Sequence, residues 1–576
     1  MRKTLFYLVA ASVFAAGCNG DRSADDVSGS YADIVVFGDI FTSEEVDGGE
    51  AGAFAVKDGR YLYVGDRETA SSYIKQGVTE VIDRTGNGLV IPGCTEGHAH
   101  FIMAEEEKKL ILSGSSFDEI ADNLLQWVAE HPDDGQVITF GLDDRFMRYH
   151  PAGINYASEL EKYAPGIPVL MSDGSGHGML VNETALRMAG LWKTGPTVRG
   201  GVIELDESGY PTGFVFDQAL PFMFRNAMTG PVLSYDEICM ACRDALAELN
   251  RRGYTNYLDA WLNMLNDSDE YRCLSEIELT AYVAACYNIQ SYNTDSYKEE
   301  VDRVAVLAEK YSNGHFNPSY IKLFVDGVTE GRTGWLFTPY PHPVNQESMY
   351  GNRIWTQEEL ENLTSYANSK GITIHSHTFG DAACNAMIDA YIAAGSRMRN
   401  TLAHVRNITV DDVERIVRDG NIGVAENMIW HWVTQDYISA INEILPSEYV
   451  DGYPMKSLSD AGVRFCSSTD APAAEDIEGN IVNVIYVSVN GIAPDAADCV
   501  PFDTDELITV REALKALTID GAWTLGIDDV RGSIKEGKYA DFVILDKNLL
   551  TCLPEEIKDA RVERTYFEGC CVYSGK

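Results

Sequence analysis

Short apolar runs that end in polar residues recur through the middle of this chain. Eight of them fall at residues 89–100, 254–259, 279–287, 320–326, 372–377, 401–404, 422–426 and 463–470. Most have the length of a buried strand. Charge-rich segments with helical spacing separate most of them, for example 356–370, 381–394 and 410–419. Strand and helix in alternation predict a parallel sheet. Eight such units predict an α/β fold of the (β/α)8 TIM-like barrel type over residues 90–529, with the polar strand ends gathered at one rim. The gap between the first two strands is too long for a barrel loop. Residues 101–250 therefore read as an inserted, substrate-shaping subdomain, with strand-like pieces at 136–141 and 168–172 and a helix over 234–251.

The two ends of the chain have a different texture. Residues 31–89 and 530–576 alternate short apolar pieces with turns, including the hairpin signal Asp58-Gly59. Each end is too small to own a core, so together they predict one composite β-sandwich domain.

Composition adds two points. The chain has 576 residues and a formal net charge of −43, which argues against nucleic acid and anionic membrane surfaces as partners. Its first 18 residues read as an export signal: Arg2 and Lys3, then a short apolar run, then Ala15-Ala16-Gly17-Cys18. The last four resemble a bacterial lipobox, which implies cleavage before Cys18 and lipidation of its sulfur. Residues 19–30 are polar and read as a flexible tether. The expected location is the bacterial cell envelope, lipid-anchored, at the periplasmic or outer-membrane surface. Eleven of the 12 cysteines follow Cys18. Cys94, Cys286 and Cys466 sit in apolar runs and read as small buried hydrophobes; pairing is not assigned.

The chemistry lies in the polar strand ends. His98 and His100 are two apart, so a strand puts both on one face. Lys322 stands among apolar residues, a costly place unless it is paired with Asp326 or chemically changed. His375 and His377 end the fifth run, His404 the sixth and Asp470 the eighth. His375 lies one pleat deeper than His377 and reads as packed behind it. Singly each is more often structural. Brought to one barrel mouth, nitrogen and oxygen donors in this ratio suit zinc or a similar divalent ion.

The motifs Ile91-Pro92-Gly93 with Glu96, His98 and His100, then Asp173 to Asn182, Lys322 to Gly327, His377 to Asp381 and Gly532 to Asp541 occur in order. In this the chain resembles the amidohydrolase superfamily and, within it, the amidohydrolase-3 (YtcJ-like) family. The resemblance implies one or two divalent metal ions, zinc first. It implies His98, His100 and Asp470 as ligands of one ion, His377 and His404 as ligands of a second, and Lys322, carbamylated, as the bridge. It implies Asp470 as the catalytic acid–base, with His177 and Asp173 facing a small-molecule substrate. The reaction implied is hydrolysis, with metal-activated water, of a C–N bond other than a peptide bond, in an amide, an N-acyl or N-formyl amine or a cyclic amide. A ring-amidine deaminase and a non-catalytic metal-binding lipoprotein are the alternatives, and a homodimer is the expected assembly. Glu96 stands where relatives usually carry Asp, and Ala403 where many carry Glu. If Cys18 carries the anchor, Cys18→Ser moves the protein from the membrane to the soluble fraction on detergent-free fractionation.

Overall fold

The computed structural model describes residues 31–575 apart from the short segments 45–48, 174–177, 266–267, 291–293, 330, 344–347, 473–476 and 496–497. The signal, Cys18, the tether and His177 lie outside the described residues.

Eight strands form a parallel sheet in the order expected of a barrel: Cys94–Ala99, Tyr254–Asp259, Tyr282–Asn288, Phe316–Phe324, Thr373–Thr378, Thr401–His404, Gly423–Glu426 and Phe465–Ser467. They are called barrel strands one to eight below. The helices between them begin and end on local signals. Gln357–Ser369 starts at a capping box in which Thr356 and Glu359 satisfy each other's backbone amides. Val410–Asp419 is capped by Thr409 and stopped by Gly420 at φ 76°. The long helix Tyr235–Arg252 packs beside barrel strand two, and the disulfide Cys239–Cys273 ties it to Asp269–Glu276.

The run 89–100 serves two sheets. Leu89–Pro92 pairs antiparallel with Phe542–Leu545, while Cys94–Ala99 enters the barrel. The break is Gly93, whose amide donates to the Asp541 carbonyl at 2.8 Å. Through that junction strands from both chain ends join one eight-stranded sheet. Ile34–Phe41 lies near its middle, and a register shift between Phe37 and Ile40 lets the two halves take different neighbours. In its core Phe542 stacks on Tyr566 and meets Phe54 edge-on.

Within 101–250, six strands form a separate sheet in the order Gly201–Leu205, Pro211–Asp217, Gly178–Val181, Val169–Asp173, Val137–Leu142, Ile111–Gly114. Its core is Leu112, Leu124, Phe146, Tyr156 and Phe214. Arg199 pairs with Glu359 at 2.7 Å and so ties this unit to the helix before barrel strand five. Among the described residues no helix is long and apolar enough to cross a membrane.

The barrel ends meet at a seam. Glu96 Oε1 accepts the amides of His98 and Thr469, both at 3.0 Å. The amide of Asp470 donates to the His98 carbonyl at 2.8 Å, and that of His100 to the Ala471 carbonyl at 2.7 Å. The approach is close enough to require glycine: a Cβ on Gly97 would stand 2.3 Å from Cys466 Sγ and 2.9 Å from the Ser467 carbonyl. Gly97→Ala should therefore lower unfolding stability by about 1–3 kcal/mol; a urea midpoint equal to wild type would contradict the tight seam.

Candidate metal centre

Every barrel strand ends in a polar group at the same rim, and the seam sets the first of them. His98 is fully buried, and its Nε2 lies 3.3 Å from Asp470 Oδ1. His100 Nε2 lies 3.2 Å from the same oxygen. Lys322 Nζ sits 2.9 Å from His98 Nε2. His98, His404 and Asp470 each offer a donor atom within 4.8 Å of the others. His377 follows, its ring centre 4.6 Å from that of His404. The expected donors thus converge, and His404 stands with His98 and Asp470 as one group.

Two of the imidazoles have fixed partners. His377 Nδ1 donates to Asp326 Oδ1 at 3.1 Å, which leaves Nε2 as a lone pair. Asp326 cannot serve Lys322 as well, because it also accepts the amides of Phe379, Gly380 and Trp335 at 3.0, 2.9 and 2.9 Å. His404 Nδ1 faces Asn427 Oδ1 at 2.8 Å. An amide oxygen only accepts, so His404 also presents Nε2. His404 at φ 76° and Asp470 at φ 56° both hold left-handed backbone without being glycine. Strain of this kind collects at functional sites.

The electrostatics suit a cation. Burial, and then the charge of Lys322, push His98 and His375 well below the ordinary imidazole value; burial does the same to His404. Burial would raise Asp470, but its contacts with His98 and His100 hold it well below the usual carboxylate range. Burial brings Lys322 down to about 8. Neutral imidazoles around a carboxylate are what a divalent ion takes as ligands, and the donor set fits one. His98, His404 and Asp470 would hold it, with His100 beside Asp470 and His377 beside His404 as the further donors.

Around these donors stands an aromatic wall. Trp430 lies parallel to His404, with ring centres 5.8 Å apart, and Phe324 and Phe379 flank His377. His431, next to Trp430 in the chain, is buried and its Nε2 donates to the Asp503 carbonyl at 3.1 Å. Asp173 accepts the Gly178 amide at 3.2 Å at the neck of its hairpin. His150 and His315, which carry no motif, pair with Glu204 and Glu568.

Three buried polar groups have no role in the sequence reading. Asn288 lies opposite Lys322 in the strand register, and neither of its side-chain polar atoms has a protein partner. Glu426, at the end of barrel strand seven, has two unpartnered oxygens, and burial raises it well above the usual value. Asp259 receives the Tyr257 hydroxyl at 2.6 Å beside His100. The available signal for each was an apolar run closed by one polar residue.

A parallel eight-strand barrel with imidazoles and a carboxylate at its rim is the frame of a metal-dependent hydrolase. Residues 80–573 match the model of the Amidohydrolase family, and the chain belongs to that family. It is 26% identical to the putative amidohydrolase YtcJ of Bacillus subtilis, over 93% of this chain and 98% of that one. It is 24% identical to an N-substituted formamide deformylase of Arthrobacter pascens, over 91% and 95%. The solved structure of an uncharacterized metal-dependent hydrolase from Pyrococcus furiosus shares the fold with a TM-score of 0.64 and 21% identity, over 90% of this chain and all of that one. The enzyme is a metal-dependent hydrolase of C–N bonds, and its histidine and aspartate cluster is the candidate metal site.

The seam carboxylate gives a pH test. Burial raises Glu96 from 4.5 to about 8. A folded value above the unfolded one means that its stabilisation is full below about 4.5 and is lost as pH rises through 8. Glu96→Gln keeps the accepting oxygen and does not titrate. In metal-free protein the variant should therefore gain on wild type between pH 5 and 8, by at most about 1.4 kcal/mol per pH unit. Parallel urea midpoints across that range would refute it.

Proposed function

We propose that the enzyme hydrolyses an N-acyl or N-formyl amine, or a cyclic amide, at a zinc centre held by His98, His100, His404, His377 and Asp470. The observation that carries this reading is the convergence of His98, His404 and Asp470 donors within 4.8 Å at the barrel rim. Nitrogen and oxygen donors favour zinc among the common divalent ions. The name of the Arthrobacter relative supports N-formyl amines as the first substrates to try. A bound divalent cation supplies Lewis acidity, which lowers the pKa of water and polarises a carbonyl.

The chain's own groups do the rest. Asp470, anionic and at the rim, takes a proton as the water oxygen bonds to the carbonyl carbon. It returns that proton to the nitrogen as the C–N bond breaks. Trp430, Phe324 and Phe379 exclude bulk water from the polar centre and strengthen its electrostatics. Lys322 is buried, and Asp326 is occupied elsewhere, which supports carbamylation: its neutral amine forms an N–C bond to carbon dioxide and releases a proton. The product is a carboxylate in place of a buried cation.

Export and anchoring through Cys18 are part of the proposal. The lipobox-like residues support them, as does the Cys239–Cys273 disulfide, because such bonds persist in oxidising compartments. His177 and Asp173 as substrate contacts, and a homodimer, are proposed on the resemblance alone.

The test is elemental analysis of purified protein together with turnover of a panel of N-formyl and N-acyl amines, dipeptides and cyclic ureides. Wild type should carry zinc and cleave at least one member. His98→Ala should lose the metal and at least about 100-fold in activity. A folded wild type that binds no zinc or manganese, and cleaves nothing after either is added, would sink the proposal.

A further inference from the structure

His375 is not needed by the reaction above, yet it touches the centre. It lies in barrel strand five, in register with Lys322 and Thr401, and is fully buried. Its Nε2 stands 2.7 Å from His98 Nδ1. On the other side of the His98 ring, Nε2 faces Lys322 Nζ at 2.9 Å. Nε2 is also the ring nitrogen turned to Asp470 and His404, so it keeps its lone pair for a cation there. The single proton of neutral His98 then sits on Nδ1 and points at His375 Nε2. That atom accepts, so His375 keeps its own proton on Nδ1.

We propose that His375 is a positioning residue: it fixes the tautomer of His98 and so aims the Nε2 lone pair at the cation site. The inference rests on the reading of the cluster as a cation site. Metal-binding imidazoles are commonly oriented by a carboxylate, a carbonyl or water. His377 with Asp326 and His404 with Asn427 follow that pattern here. His98 has an imidazole in that place. The choice fits the location, since the two rings are packed with centres 4.7 Å apart in the barrel interior, where a further carboxylate would add an uncompensated buried charge. Without an acceptor at His375, His98 can move its proton to Nε2 and donate to Asp470, which removes the lone pair a cation needs.

The experiment measures zinc affinity of the purified full chain by competition with a chromophoric chelator. The proteins are wild type, His375→Leu, His375→Gln and His98→Ala, with thermal unfolding of each metal-free protein as the folding check. His375→Leu should weaken zinc about 10–100-fold. His375→Gln, which keeps an accepting oxygen, should recover most of that loss, and His98→Ala should bind weakest. If His375→Leu does not fold, His375→Phe, nearer in shape, replaces it. An apolar variant that binds zinc as wild type does would overturn the inference and leave the cation site standing. His375→Gln as weak as the apolar variant would overturn it too, since an acceptor would then not be what matters. Wild type that binds no divalent ion would overturn both this inference and the function proposed above.

Discussion

Glu96 holds the barrel shut. One carboxylate oxygen takes the amide of His98 on the first strand and that of Thr469 just beyond the eighth. The candidate metal site lies across that same seam, so His98 and His100 come from one side of it and Asp470 from the other. Any change that opens the seam separates them. Glutamate reaches one methylene further than aspartate, which suits a role between two strand ends. Its full burial makes the carboxyl a poor ion, and its second oxygen has no partner. The site is therefore built around a group whose charge is costly.

The same economy runs through the other donors. Low dielectric strengthens each hydrogen bond and raises the penalty for each one unmade. Asp326 answers four donors, and Asn427 turns His404. The left-handed backbone at His404 and Asp470 brings two side chains inward from strand ends whose regular alternation would not place both there. Such rigidity is what lets neutral imidazoles keep their lone pairs directed at one point before any ligand arrives.

Much of this was legible in the residues. All eight barrel runs form strands, since an apolar run stopped by a polar residue is both a burial signal and a rim signal. The run 89–100 misled in one respect. It reads as a single strand, but Gly93 lets the backbone leave one sheet and enter another, and its missing Cβ admits Thr255 Oγ1. Lys322 was harder. Asp326 lies four residues on and on the same face, which makes it the obvious partner. Its actual partners come from loops at Trp335 and at Phe379 and Gly380, and no local pattern reports a contact that tertiary folding alone creates. Asn288 falls just outside the third run because Tyr287 already closes it with a hydroxyl, while the strand goes on one residue further.

The junction at Gly93 also orders events in time. The strand that leads into the barrel finds its sheet partner, Phe542–Leu545, only in the last tenth of the chain. The eighth barrel strand likewise must arrive before the first can be closed against it. Contacts of such sequence separation form slowly and late. A ribosome still making this protein holds a chain that cannot complete its native core, however many βα units have already emerged.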